Sequence, residues 1–175
     1  DGMPDLNQKN PQLARYLIQN TIWWVEYAGL DGTREDTYPY CDQVFLNRWC
    51  AALLREYPKL NIVGEVWMNE PPSTASFQRG NRLAPRRAAA LPTVTDFSLY
   101  EAMKSTFARR RSINEVATSL AMDFIYAAPE SLLIFGDNHD VPRLAYMADG
   151  DLPRQKMLMT LLLTTRGIPQ LLYGT

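Results

Sequence analysis

Short strand-like runs alternate with amphipathic helical stretches along the 175 residues of this chain, and three of the runs end in an acid. The three are Gly29 to Asp36 (GLDGTRED), Val63 to Trp67 (VGEVW) and Phe135 to Asp140 (FGDNHD). Such alternation builds a parallel sheet, because each helix carries the chain back to start the next strand in the same direction. From Pro11 to Ala28, apolar Leu13, Leu17, Ile18, Ile22, Trp23 and Val25 recur at helical spacing. Asn10 and Pro11 offer that helix a cap and first turn, and Gly29 ends it. A second helix is predicted over 43–57 through Phe45, Leu46, Trp49, Leu53 and Leu54, stopped by Pro58. Strands are predicted over about 30–36, 61–67, 93–97, 132–135 and 169–173, and further helices over 99–107, 113–121 and 155–165. The Pro/Ser/Arg-rich stretch from Asn69 to Pro92 is long for a loop and predicts an active-site or surface excursion.

In an α/β barrel all strands point one way, so acids at their C-terminal ends converge on one mouth. Asp36 and Glu65 lie 29 residues apart, close to the ~30 residues of one βαβ step. Carboxylates gathered from different strands are the equipment of glycoside hydrolysis, where one attacks the sugar and another donates a proton to the leaving oxygen. Composition excludes several alternatives. With 46% apolar and 21% charged residues the chain is of the globular class, and a net charge of −1 names no partner. There is no long basic tract, which disfavours nucleic acid; Arg109, Arg110 and Arg111 form one short run at a helix end. The apolar run at Leu161 to Leu163 is far too short to span a bilayer. Cys41 and Cys50, placed on one helix, would be separated by about 13 Å of rise and could not bridge. Two free thiols lean toward a reducing compartment, and both a periplasmic and a cytoplasmic location stay open. No His/Cys spacing suggests zinc.

The three acidic segments resemble, in order and spacing, three of the four signature regions of the α-amylase family of retaining glycosidases. Met3-Pro4-Asp5-Leu6-Asn7 is similar to an auxiliary motif of the neopullulanase and cyclomaltodextrinase branch, and Gly167 to Thr175 (GIPQLLYGT) resembles the family's last barrel strand. The resemblance implies a partial TIM (β/α)8 barrel, about strands four to eight with their helices on a parallel sheet. Residues 1–175 would then be part of one catalytic domain with no internal boundary. The strands expected to be absent would leave open edges suited to self-association, and the isolated piece is expected to be inactive.

Residue by residue, the resemblance makes Asp36 the nucleophile and Glu65 the general acid/base, with Asp140 stabilising the flattened sugar ring. Arg34, two residues before Asp36 on the same strand face, can hold its carboxylate ionised and oriented. Between Val63 and Trp67, Glu65 is expected in a partly apolar mouth that favours the protonated acid. His139 and Asn138 are implied to bind the same ring as Asp140. Trp67, Tyr38 and Tyr40 are candidate sugar platforms, although aromatics near strand ends are as often packing residues. The implied substrates are α-glucan oligosaccharides or polysaccharides: maltooligosaccharides, cyclodextrins or pullulan, hydrolysed or transglycosylated. Two alternatives stand beside this: a non-catalytic amylase-like interaction module, and a glycosyltransferase or isomerase of the same superfamily. No cofactor is required and no metal ligand set is assigned; calcium, bound by many relatives, stays open for the whole enzyme. Glu35 departs from the family's aliphatic pattern. Strand alternation turns it toward the layer between sheet and helices, where an unpaired carboxylate is costly.

Overall fold

The computed structural model describes residues 4–83 and 89–175, so Met3 of the auxiliary motif lies outside the described residues. Helix α1 spans Pro11–Ala28. The Asn10 side chain accepts hydrogen bonds from the N–H groups of Gln12 and Leu13, and Gly29 closes the helix at φ +63°. Strand β1 (Gly32–Glu35) leads through a short turn to α2 (Gln43–Glu56), capped by Asp42, which accepts from the Phe45 N–H. That cap places Cys41 in the turn and only Cys50 on the helix, correcting the shared helix expected from the sequence; both are free thiols. Two side-chain bonds tie α1 to this unit, from Trp49 Nε1 to Thr21 Oγ1 (3.0 Å) and from the Tyr57 hydroxyl to Glu26 (2.7 Å).

The chain continues through β2 (Asn61–Gly64), α3 (Pro71–Ala75), β3 (Thr93–Val94), α4 (Phe97–Phe107), α5 (Asn114–Ala121), β4 (Leu133–Phe135), α6 (Leu144–Met147), α7 (Leu152–Thr164) and β5 (Ile168–Gln170). Helices α4 and α7 begin earlier than apolar periodicity predicts, because Asp96 and Asp151 cap them by accepting from the N–H groups of Leu99 and Arg154. The strands are shorter than predicted: β2, β3 and β5 stop before their predicted ends, and β1 and β4 start late.

All pairings among the described residues are parallel. β1 pairs with β2 from Gly32↔Asn61 to Glu35↔Gly64, β2 pairs with β3 at Val63↔Thr93, and β4 pairs with β5 from Leu133↔Ile168. A bridge between Thr95 and Leu133, with the Asp96 N–H donating to the Leu133 carbonyl at 2.8 Å, joins the two groups of strands. The five strands therefore run side by side in chain order, as in a partial TIM barrel. Gly167 (φ +103°) makes the approach to β5: a Cβ there would lie 2.7 Å from the Leu132 carbonyl oxygen. No helix among the described residues is long and apolar enough to cross a membrane.

Of the stretch predicted as an excursion, residues 84–88 lie outside the described residues, and the part before them turns inward instead. Thr74, Ala75, Phe77, Gln78 and Asn81 are buried. The Gln78 amide is the staple: its Nε2 donates to the Ala128 carbonyl (3.0 Å) and Ser131 Oγ (3.1 Å), and its Oε1 accepts from the N–H groups of Ala127 and Ala128. A second polar anchor lies below β3. Arg166 donates to the fully buried Asp96 at 2.6 Å and to both oxygens of Asp123, so three distant segments share one guanidinium. Burial pushes the Asp96 carboxyl up, and Arg166 opposes that shift.

Glu35 points where strand alternation put it, and its carboxylate has no ion-pair or hydrogen-bond partner among the described residues. Burial, then the neighbouring Asp36 charge, push its carboxyl above the ordinary 4.5, with Arg34 partly offsetting them. A raised acid binds protons more tightly in the folded chain. Its contribution is favourable at low pH and is lost as pH climbs from 4.5 through the folded value. In the whole protein, Glu35→Ile is therefore expected to raise the melting temperature at pH 7 and to gain less at pH 4. Calorimetry at the two pH values checks this, and a lowered melting temperature at pH 7 would contradict it.

Candidate active site

Two adjacent strand ends make the first half of the site. The β1–β2 ladder continues one step beyond Glu35↔Gly64, with the Glu65 N–H donating to the Glu35 carbonyl at 2.8 Å. Asp36 and Glu65 thus leave neighbouring strands at the same level. Arg34, on the same face as Asp36, spans both: Nη1 lies 2.6 Å from Asp36 Oδ1 and Nη2 lies 2.9 Å from Glu65 Oε1. The second Glu65 oxygen accepts the Thr37 backbone N–H at 2.9 Å. The two carboxylates differ in access, the Asp36 side chain being 65% exposed and that of Glu65 7%. One is open to solvent, and the other is shielded and fixed.

The cradle of Glu65 corrects the partly apolar mouth expected from Val63 and Trp67. Both of its oxygens take polar donors, because the parallel register brings Arg34 and Thr37 across from β1. Tyr38 is also corrected as a sugar platform. Its ring is 1% exposed and meets Phe77 edge-on, and its hydroxyl shares a hydrogen bond with Cys50 Sγ at 3.8 Å. In the same turn Tyr40 is open, at 72% exposure. Trp67 is 40% exposed and spends one face stacking on Phe97, with ring centroids 4.5 Å apart. Thr95 Oγ1 accepts from the Val66 N–H at 2.8 Å and steadies the backbone between Glu65 and Trp67.

The second half follows β4. Asn138 is buried and its Oδ1 accepts the Asp140 N–H at 2.8 Å, while His139 Nε2 lies 3.1 Å from Asp140 Oδ2. Asn138 thus shapes the turn that presents the exposed His139 and Asp140. Among the described residues no hydrogen bond or ion pair joins this half to Arg34, Asp36 or Glu65. Asp137 was not singled out from the sequence, yet it fastens this loop. It is buried, accepts from the Leu144 N–H at 2.9 Å, and takes the Thr175 hydroxyl at 2.9 and 3.1 Å on its two oxygens. Arg143 adds a bond from Nη1 to the Tyr173 carbonyl at 2.8 Å, so the segment after β5 is bound to the loop after β4. Thr37 was missed as well, since its role lies in its backbone. Among the described residues no group of three or more His, Cys, Asp or Glu is placed to hold a metal ion.

A family model described as the catalytic domain of alpha amylase matches residues 1–175. The intracellular maltogenic amylase of Bacillus subtilis (strain 168) is 28% identical over 173 residues, which cover 99% of this chain and 28% of that protein. The cyclomaltodextrinase of Thermoanaerobacter pseudethanolicus is 26% identical over 176 residues, covering 98% of this chain and 29% of its own length. Among solved structures, the alpha-amylase from Geobacillus thermoleovorans complexed with acarbose superposes with a TM-score of 0.88 at 30% identity. That superposition covers 99% of this chain and 38% of the other. The chain thus spans under a third of the length of these curated relatives.

Gly64 couples the fold to the site. A Cβ there would strike the Leu91 side chain and lie 3.0 Å from the Tyr38 ring. Gly64→Ala is expected to cost about 1–3 kcal/mol through overpacking, measured as a lower denaturation midpoint in urea. An unchanged midpoint would contradict the close packing of Tyr38 against this strand.

Proposed function

The chain belongs to the alpha-amylase catalytic-domain family, and on that premise we propose that the whole protein is a retaining α-glucan hydrolase. Its substrates would be maltooligosaccharides, cyclodextrins or pullulan. The observation that carries the reading is the single guanidinium of Arg34 bridging one open and one shielded carboxylate at adjacent strand ends. In this mechanism an Asp36 oxygen attacks the anomeric carbon and forms a carbon–oxygen bond. The glycosidic bond breaks with its electron pair passing to the leaving oxygen, which takes a proton from Glu65. The Glu65 carboxylate then removes a proton from water, whose oxygen displaces Asp36 and regenerates both groups. Arg34 offers the charge that steadies Asp36 as it leaves, and breaking the Arg34–Glu65 contact frees Glu65 to face the sugar oxygen.

Asp140 and His139 are assigned to the hydroxyls of the sugar beside the cleaved bond. Contacts made there strengthen as the ring flattens toward an oxocarbenium ion, so they act on the transition state more than on the ground state. Trp67 and Tyr40 present aromatic surface at the same loop end and are assigned to neighbouring sugars. The relatives named maltogenic amylase and cyclomaltodextrinase support α-glucans as the substrate class. A match named cyclomaltodextrin glucanotransferase, from Geobacillus stearothermophilus at 29% identity, keeps transfer to a second sugar as the alternative fate of the same intermediate. For the 175-residue chain taken by itself, self-association through the outer side of β1, which pairs with no further strand among the described residues, is a separate proposal, in keeping with the exposed Trp23, Trp24 and Tyr27 on α1.

The test is covalent trapping of the whole protein with a fluorinated α-glucosyl fluoride, followed by peptide mass spectrometry. One sugar on the peptide carrying Asp36 is the expected product, and Asp36→Asn should abolish it. An active enzyme labelled at another residue would overturn the assignment, and a protein that neither turns over nor labels would favour the non-catalytic module.

A further inference from the structure

We propose that Thr37 is a positioning residue for Glu65, acting through its backbone N–H and not through its side chain. The proposal rests on the acid/base reading of Glu65 given above. Thr37 sits at φ +49°, ψ 33°, a left-handed conformation that β-branched residues rarely adopt. Left-handed backbone costs an L-residue roughly 1–2 kcal/mol, so something must hold it there. The following turn does so. The Tyr40 N–H donates to the Thr37 carbonyl at 3.0 Å, and Gln43 Nε2 donates to the carbonyls of Tyr38 (2.9 Å) and Cys41 (3.1 Å). Tyr38, locked in the core against Phe77, anchors the next residue.

This arrangement yields a fixed donor. The left-handed step turns the chain immediately after Asp36, leaving that carboxylate open while the Thr37 N–H reaches back to Glu65 Oε2 at 2.9 Å. The Thr37 hydroxyl makes no hydrogen bond among the described residues, so the backbone is the contact that matters. An N–H aimed at a carboxylate favours its ionised form and fixes its orientation. It thus supports Glu65 as the base that activates water, and opposes Glu65 as the acid that protonates the leaving oxygen. The two demands on one carboxyl are balanced by a donor that no side-chain substitution other than proline removes. Backbone strain maintained by its surroundings at a reacting group is the pattern expected of a functional constraint.

The experiment replaces the Thr37 amide by an ester in the whole enzyme, using the α-hydroxy analogue of threonine, which removes the N–H and keeps the side chain. The alkaline limb of kcat/KM on a maltooligosaccharide is expected to move up by about one pH unit, the order of one charge-assisted hydrogen bond. Thr37→Gly keeps the N–H and relieves the strain, so it should raise the melting temperature and leave the limb in place. An ester enzyme with an unmoved limb overturns the proposal, as does a limb that moves in Thr37→Gly. Glu65→Gln, assayed in parallel with α-maltosyl fluoride, identifies the owner of the limb. A limb that persists in Glu65→Gln overturns the acid/base reading itself. A limb lost there but unmoved in the ester enzyme overturns the role of Thr37 alone.

Discussion

The register in which β1 pairs with β2 is the constraint from which the site follows. Parallel pairing at Glu35↔Gly64 sets Asp36 and Glu65 side by side, and strand alternation turns Arg34 to the same face as Asp36. A slip of one residue would turn that face away from the opposing strand's acid and leave a carboxylate without its cation. The register is protected by packing: Gly64 leaves room for Tyr38 and Leu91, and the buried Tyr38 fixes the turn that carries Thr37. Core packing and the geometry of the candidate site are therefore one problem at this corner.

The remainder of the arc is secured by buried polar groups. Asp96 caps α4, extends the strand ladder through its N–H and pairs with Arg166, while Arg166 also takes Asp123. Removing one member of such a cluster strands a buried charge, which costs far more than the net worth of the intact pair. Gln78 acts similarly with a neutral amide, closing four backbone and side-chain groups of the loop before β4. These anchors lie away from the carboxylates and hold the two halves of the candidate site in a common frame.

Local chemistry was legible in the sequence wherever it was local. Asn10, Pro11 and Gly29 fixed the ends of α1, and the spacing of Asp36 and Glu65 matched one strand-helix step. Resemblance supplied the family and the order of the acids. What stayed hidden depends on partners far along the chain. The polar cradle of Glu65 comes from residues 31 and 28 positions earlier, and Asp137 finds its hydroxyl partner 38 positions later. Tyr38 and Tyr40 are two aromatics in one turn, and only packing decides that the first is core and the second exposed. Thr37 carried no signal because the functional group is common to almost every residue. The length of the stretch after β2 suggested an excursion, since composition does not reveal that Phe77 and Gln78 point inward.

The central claim is that Asp36 attacks from the face of the sugar opposite the α-linked leaving oxygen, while Glu65 serves as acid and then base on the leaving-oxygen face. Proton NMR of the first product released by the whole enzyme tests it most directly, because two successive displacements preserve the anomeric configuration. The α-anomer is expected before mutarotation sets in. Initial release of the β-anomer would mean a single displacement by water and would contradict it.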